Sequence, residues 1–351
     1  MAVAATAISF FVIILAVAVS SGFRQEIREG LSSMAGDISL TDEPYVMADS
    51  TLLSAIQAVP GVRNASPVIY RAGIIKNGPA IQGVMVKGVP WRDSSLSVSI
   101  PSKLSRELGL QPGDPMLTYF VEDRLKVRKF NVESVYECPV ETEESMVVFA
   151  PLGDLRRLNG WQSDEASAIE VALNNQDRET TDKIAYTLGT ATSLYPETIR
   201  NRYPQLFDWL ELLDFNVVVL LVLMTAVAGF NMISGLYIFL FRNIPTIGIL
   251  KTLGMTDRAI SEVFLRVAAR IVATGMAIGN ALALIFCIVQ NHTHLISLNP
   301  ENYFLSSVPA RIDIPFILAA DAIAFFSILL MLLIPTLFIA KVDPAQTAKT
   351  E

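Results

Sequence analysis

Two glycine-punctuated stretches come nearest to phosphate chemistry, "GVMVKG" at Gly83–Gly88 and "GILKTLG" at Gly248–Gly254. A loop that cradles nucleotide phosphates needs G-x-x-x-x-G-K-[ST]: curled backbone amides, a lysine for the phosphates and a hydroxyl for magnesium. Neither stretch ends that way, so the chain is not expected to bind or hydrolyse ATP. The two histidines, His292 and His294, stand without a nearby cysteine or acidic cluster, and no metal site is expected. Cys138 and Cys287 lie in different kinds of segment and are not expected to pair; Cys138 reads as a buried structural thiol. Asp321 sits seven residues inside an otherwise uncharged run, Ile314–Ala340. A carboxylate there is costly unless it faces water, a partner or a cavity. It either reaches the interface, bonds to a neighbouring helix, or lines an outward cavity. No second acid or histidine accompanies it to make a proton relay. Glu141, Glu143 and Glu144 form an acidic tip that reads as a solvated loop.

The elements that must carry these residues are set by the spread of charge. The chain of 351 residues is 52% hydrophobic and only 17% charged, against about 25% in a typical soluble chain. Ala2–Ser21, Phe215–Phe241 and Ile271–Leu298 have no charged residue at all. About 20 apolar residues span a bilayer core, so four transmembrane helices are expected, with a large α+β extracytoplasmic domain between the first and second. The expected segments are a first span at 1–22, the α+β domain at 23–205, and a juxtamembrane stretch with the second span at 206–241. A cytoplasmic loop at 242–266, a third span at 267–290, an outer loop at 291–313, a fourth span at 314–340 and a cytoplasmic tail at 341–351 follow.

Orientation comes from cations in the short loops. Arg242, Lys251, Arg258, Arg266 and Arg270 crowd one loop, and Lys341 and Lys349 the tail, whereas the outer loop has Arg311 alone. The α+β domain is then outside. Gly22–Asp214 carries 19 Lys and Arg against 27 Asp and Glu, which argues against nucleic acid or an anionic membrane surface as its partner. A cleaved signal peptide is the competing reading of the first span, since Ala16–Ala18 has the small-x-small pattern. The absence of a cationic n-region opposes it, and suggests instead a cytoplasmic leader before this sequence.

Within the α+β domain, "DISLTD", "MLTYFV", "KFNVESVY", "MVVFA" and "AIEVAL" read as strands, and Asn77-Gly78 as a hairpin turn. Helices are expected from Asp49 or Ser50 to Pro60-Gly61, over "SKLSRELGLQPGD" with its stop at Gly109, and over "LGDLRRLNG", while "TTDKIAYTLG" is amphipathic. Tyr203–Asp214 reads as an aromatic lead into the second span, with Trp209 at interface depth. Pro335 should kink the fourth span.

"TIGILKTLGM", Thr246–Met255, is too polar and too short to be a span. Pro245 suits a first helical turn and Gly254 a stop, which predicts a short helix over Pro245–Leu253. Ile247, Leu250 and Leu253 recur along it, with Ile249 beside them. A helix this short is marginal alone in water, so it must either pack under its own bundle or insert into a groove of a cytoplasmic partner. Thr256 caps a second helix that runs into the third span. Ile260, Val263, Phe264 and Val267 form its apolar face, and Arg258, Glu262, Arg266 and Arg270 a polar edge. Gly275 and Gly279, continued by Ala283, make a small-residue stripe for helix packing, within this bundle or against a second copy. Ala228, Gly229, Ser234 and Gly235 carry the same ambiguity in the second span.

"IGILKTLGM" followed by a helix into a span resembles the coupling region of ABC transporter permeases of the mechanotransmission, MacB/FtsX-like superfamily. "SSGFRQEI", "SKLSRELGLQPGD", "VAGFNMISGL" and "AKVDPAQTAK" fit that resemblance, and "YFLSSVP" at Tyr303–Pro309 resembles the lipoprotein-releasing branch, LolC and LolE, in particular. Many members carry a glutamate before the Ile-Gly pair, where Thr246 stands here, and an amphipathic cytoplasmic segment before the first span.

The resemblance implies that Ile247, Gly248, Leu250, Lys251, Leu253 and Gly254 seat on a cytoplasmic ABC ATPase dimer, which uses ATP and magnesium. It also implies a second permease copy or paralogue, a lipoprotein substrate, a periplasmic carrier, and the inner membrane of a Gram-negative bacterium. By position, the acidic tip could be the projection that holds the carrier. MacB-like efflux of peptides or drugs and FtsX-like signalling to a cell-wall hydrolase are the alternatives within this resemblance.

Overall fold

The computed structural model describes all residues except 1, 93–94, 121–124, 139–145, 300–302 and 336–351. The acidic tip and the terminal Lys341 and Lys349 lie outside the described residues. The chain divides into two compact units. One comprises Met1–Gln25, Asp208–Ser297 and Ser307–Glu351; the other comprises Glu26–Phe207 and Leu298–Ser306.

The first unit is helical. Among the described residues four helices are long and apolar enough to cross a membrane: α1 (Ala2–Ala35), α7 (Pro204–Arg242), α9 (Asp257–Thr293) and α10 (Ile314–Met331, with the apolar stretch reaching Pro335). α1 continues well beyond the charge-free run, through Arg24, Glu26, Arg28 and Glu29. Charge marks where a helix leaves an apolar medium, whereas all four of these residues are good helix formers. α10 gives way to a turn at Leu332, three residues before Pro335. The missing proline amide would have bonded to the Met331 carbonyl, so the ladder is interrupted where the kink was expected. The bundle core gathers Phe10, Ile13 and Ile14 of α1 with Met232 and Leu236 of α7, Ile260 and Val272 of α9, and Ile328 of α10. At the start of α7, Trp209 packs edge-on against Phe23, and Asp214 accepts a hydrogen bond from Ser20 and pairs with Arg24.

The second unit is α+β. Eleven strands are described, β1 (Ile38–Thr41), β2 (Val46–Met47), β3 (Val62–Asn77), β4 (Ala80–Val89), β5 (Ser97–Pro101), β6 (Pro115–Phe120), β7 (Lys126–Tyr136), β8 (Val147–Pro151), β9 (Glu165–Ala166), β10 (Ala168–Leu173) and β11 (Tyr195–Thr198). Nine of them form one sheet in the order β11-β1-β10-β3-β4-β8-β5-β7-β6, and β3 also pairs with β6. That extra pairing closes β3, β4, β8, β5, β7 and β6 into a six-stranded barrel, and closure removes the exposed edges that an open sheet leaves. The barrel core gathers Ile69, Ile75, Val86, Ile100, Phe120 and Phe130, with α3 (Ser102–Leu108) and α4 (Leu152–Asn159) packed against it. A second core lies between β1, β3 and β10 and the helices α2 (Ser50–Gln57) and α5 (Arg178–Thr192).

Local signals place most of these elements. The Asp49 side chain accepts from the Leu52 amide at the start of α2, Gly109 ends α3 in the left-handed region, and Asn77-Gly78 turns β3 into β4. The sixteen-residue length of β3 was not visible in the sequence, because its first half pairs with β10 and its second half with β4 and β6. Cys138 is half-buried rather than buried, with Sγ 3.4 Å from Met34 Sδ; Cys287 is buried, and both thiols are free.

Candidate functional site

α8, Ile244–Thr252, is the short helix expected after the second span, one residue earlier than expected at each end. Asn243 interrupts α7 and its carbonyl accepts from Ile247, while Pro245 stands in the first turn, where its missing amide has no partner to lose. At the other end Gly254 adopts φ +89, its amide bonds to the Lys251 carbonyl, and the Met255 amide bonds to the Leu250 carbonyl, both at 3.0 Å. These are the two hydrogen bonds of a Schellman motif. Leu250 and Met255 are each partly buried against the bundle core.

The helix has two faces. Ile247 is 1% exposed and Gly248 is also buried, so this face seats α8 on its own bundle. Lys251, 10% exposed, directs its ammonium 2.9 Å from Asp257 in the first turn of α9. The cation thus braces the turn between the two helices, with Thr256 capping α9 through the Ala259 amide. Ile249 and Leu253 point outward, 62% and 78% exposed, and Gly254 beside them is also exposed. Leu250 is intermediate. The expected set therefore splits: Ile247, Gly248, Leu250 and Lys251 are buried or partly buried on the chain's own bundle, while Leu253 and Gly254 are exposed, together with Ile249, which was not in that set.

α9 then runs unbroken to Thr293. Its buried stripe is Ile260, Phe264, Ala268, Val272, Gly275, Gly279 and Ala283. Val263, expected on that face, is about half exposed. Glu262 and Arg266 pair at 2.6 Å on the polar edge. Gly275 lies against Thr6 and Val3 of α1, and Gly279 against the Ala7 backbone and Phe10, so close that a Cβ at either would collide with α1. The small stripe is thus used inside this chain's own bundle. Gly229 of α7 similarly faces Met331 of α10.

Asp321 is 5% exposed and accepts a hydrogen bond from Asn280 Nδ2 of α9 at 2.5 Å. Of the expected placements, the bond to a neighbouring helix is the one observed. Asn280 was missed as its partner, because an amide inside a charge-free run gave no signal of its own. Gln290 was missed for the same reason. It is buried at the end of α9, donates to the carbonyls of Ile296 and Val308, and accepts from the Ile296 amide. It thereby holds a small hairpin in which Ser297 bridges Ser307. Ser306–Val308 of "YFLSSVP" pair in the second arm of that hairpin, after a bend with Phe304 at φ +63. His294 contacts Ser307 at 3.2 Å, and no group of three metal-ligating His, Cys, Asp or Glu side chains occurs among the described residues.

In the α+β unit, Lys87 of β4 is the most buried cation. Its ammonium bonds to the Met34 carbonyl in the last turn of α1 and lies 2.7 Å from Glu170. A cation at a helix C-terminus is favourably placed. Burial nevertheless lowers the Lys87 pKa, outweighing the opposing pull of Glu170. Burial, then the Glu170 charge, raises that of Tyr70, whose hydroxyl bonds to Glu170. Arg202 stacks over the Tyr70 ring, 4.8 Å from its centre.

Residues 218–344, from α7 through α8 and α9 to beyond α10, match the family described as FtsX-like permease C-terminal. The chain carries an FtsX-like permease domain. The chain is also similar over nearly its whole length to two curated proteins. It is 22% identical to the lipoprotein-releasing system transmembrane protein LolC of Xylella fastidiosa, over 98% of this chain and 92% of that one. It is 20% identical to LolE of Haemophilus influenzae, over 97% and 91%. Among solved structures, the periplasmic region of MacB from Actinobacillus actinomycetemcomitans aligns with a TM-score of 0.34 and 9% identity, over 48% of this chain and 91% of that one.

Proposed function

We propose that the chain is the permease subunit of an ATP-driven complex that extracts lipoproteins from the outer leaflet of a Gram-negative inner membrane and passes them to a periplasmic carrier. The observation that carries this reading is the similarity to LolC and LolE across both the helical and the α+β parts. The exposed Ile249 and Leu253 give an ABC ATPase dimer an apolar contact on α8. ATP-driven closure of that dimer pushes α8, and the stroke passes into the bundle through α9, which begins at the Lys251–Asp257 brace. Only a difference in contact between the two ATPase states can move the permease, since a contact equal in both shifts nothing. A second permease copy or paralogue completes the pathway, and ATP and magnesium belong to the ATPase.

The test is release of a radiolabelled triacylated lipoprotein from proteoliposomes that hold the permease with its cognate ATPase and permease partners, with a soluble carrier outside. ATP-dependent release that is lost in Leu253→Asp supports both the transport reading and the role of α8. ATP hydrolysis without release, whatever carrier is supplied, would remove the lipoprotein reading and favour MacB-like efflux or FtsX-like activation of a hydrolase.

A further inference from the structure

Beside the Tyr70–Glu170–Lys87 cluster of the α+β unit lies a half-open cleft of about 290 Å³. We propose that this cleft binds a small anionic amphiphile, its apolar chain against the methionine wall and its acidic head on the Arg202 guanidinium. Three observations meet here. Met34, Met85 and Met146 all line the cleft, and methionine is unbranched and polarizable, so a wall of it adapts to a flexible chain. A mostly apolar concavity with one or two placed polar groups is the usual form of a small-molecule site.

The second observation is Arg202, which also lines the cleft. It is half-buried, and among the described residues no carboxylate lies within ion-pair distance of it. It lies over the face of Tyr70 and donates a long 3.4 Å hydrogen bond to the Tyr70 hydroxyl. Glu197 acts on it only at longer range, and Glu170 is engaged by Lys87 and Tyr70. A guanidinium so placed has donors left for a carboxylate or phosphate, which it can hold through two parallel bonds.

The third is Gly83, in the interior of β4 opposite Ile74. Its backbone is not in the left-handed region, and a Cβ there would meet nothing within 4 Å. Nothing in the fold requires glycine at this position. A glycine in a strand interior weakens the strand, and often marks a place where something else comes close. Gly83 is part of the cleft lining, and its missing side chain is what leaves the cleft open there.

The carboxylate of a fatty acid and the phosphate of a lysophospholipid share this chemistry, and competition separates them. The full chain, in nanodiscs of zwitterionic phosphatidylcholine, is exposed to a palmitate analogue bearing a diazirine near its chain end, and the labelled peptides are mapped by mass spectrometry. The expected label falls on peptides containing Met85 or Met146. Oleate and oleoyl-lysophosphatidate should displace it, the stronger of the two identifying the head group, whereas oleyl alcohol should need about tenfold more, the ratio that one charge-assisted bond gives. Arg202→Gln should abolish that preference and Arg202→Lys should keep part of it. Gly83→Leu, which fills the cleft without touching the fold, should lower labelling while leaving the melting temperature within a few degrees of wild type. Label confined to the spans, equal displacement by the alcohol in the wild type, or an unchanged preference in Arg202→Gln would each overturn the proposal.

Discussion

Lys251 Nζ stands 2.9 Å from Asp257 Oδ1, across the turn that joins the short helix α8 to the long helix α9. The lysine is nearly buried and the aspartate half exposed. The carboxylate also lies in the first turn of α9, where the helix dipole favours it. The pair ties α8, with its exposed Ile249 and Leu253, to the start of the long apolar helix α9.

Lys251→Met and Asp257→Asn should each lower stability by about 1 kcal/mol, the upper range for a pair with one exposed partner. A double-mutant cycle on the thermal unfolding of the detergent-solubilised permease should give a coupling of about 0.5 kcal/mol or more. Strict additivity would show that the pair does not act as a brace.

The two faces of α8 should separate in assays. Ile247→Asp places an unpaired carboxylate in the bundle core and should cost about 3 kcal/mol or more, seen as a lost or sharply lowered melting transition. Ile249→Asp and Leu253→Asp should melt as wild type, within about 0.5 kcal/mol for surface changes, yet lose co-purification with the ATPase. Retained co-purification in both variants would move the contact elsewhere.

Glycines here serve different ends, and alanine should tell them apart. Gly279→Ala drives a methyl into the Ala7 backbone and Phe10, an overpacking cost of about 2–3 kcal/mol. Gly254→Ala meets no atom within 4 Å but must hold φ +89, which costs about 1 kcal/mol. Melting temperatures in that order are expected; the reverse order would mean that α1 moves aside readily.

Removing Asn280 should hurt more than removing both partners. Asn280→Leu leaves the Asp321 carboxyl buried without its donor, at a cost of about 2–4 kcal/mol. The double variant Asn280→Leu, Asp321→Leu should recover at least half of that loss in the same unfolding measurement. No recovery would show that the amide–carboxyl contact is not what stabilises Asp321.

The Lys87 cluster should give the α+β unit an alkaline stability profile of its own. The Lys87 pKa is lowered by burial, so the unfolded chain, titrating near ~10.4, binds the extra proton in the interval between. Stability should therefore rise with pH across that interval. Tyr70, whose pKa is raised by burial, has the opposite sign: above about pH 10 the unfolded tyrosine loses its proton first and stability falls. Hydrogen exchange of the barrel amides against pH should show a rise and then a fall. Lys87→Met should remove the rise, and Tyr70→Phe should lessen the fall.

Local chemistry was enough to read much of this protein. The apolar runs gave the four long helices, and Asp49, Gly109, Gly254 and Thr256 announced the helix ends where they occur, because caps and left-handed stops depend on neighbours in the chain. Other features depend on which distant surface arrives. The spacing of Ile247, Leu250 and Leu253 shows an apolar helix without saying which side the bundle covers, and packing into the bundle core decided that Ile247 goes in and Leu253 stays out. The glycine stripe could have met a second copy until α1 filled it. Barrel closure through β3 and β6, the Asn280–Asp321 bond and the arginine-bearing cleft all join residues at least 41 apart in sequence, and no local period encodes them.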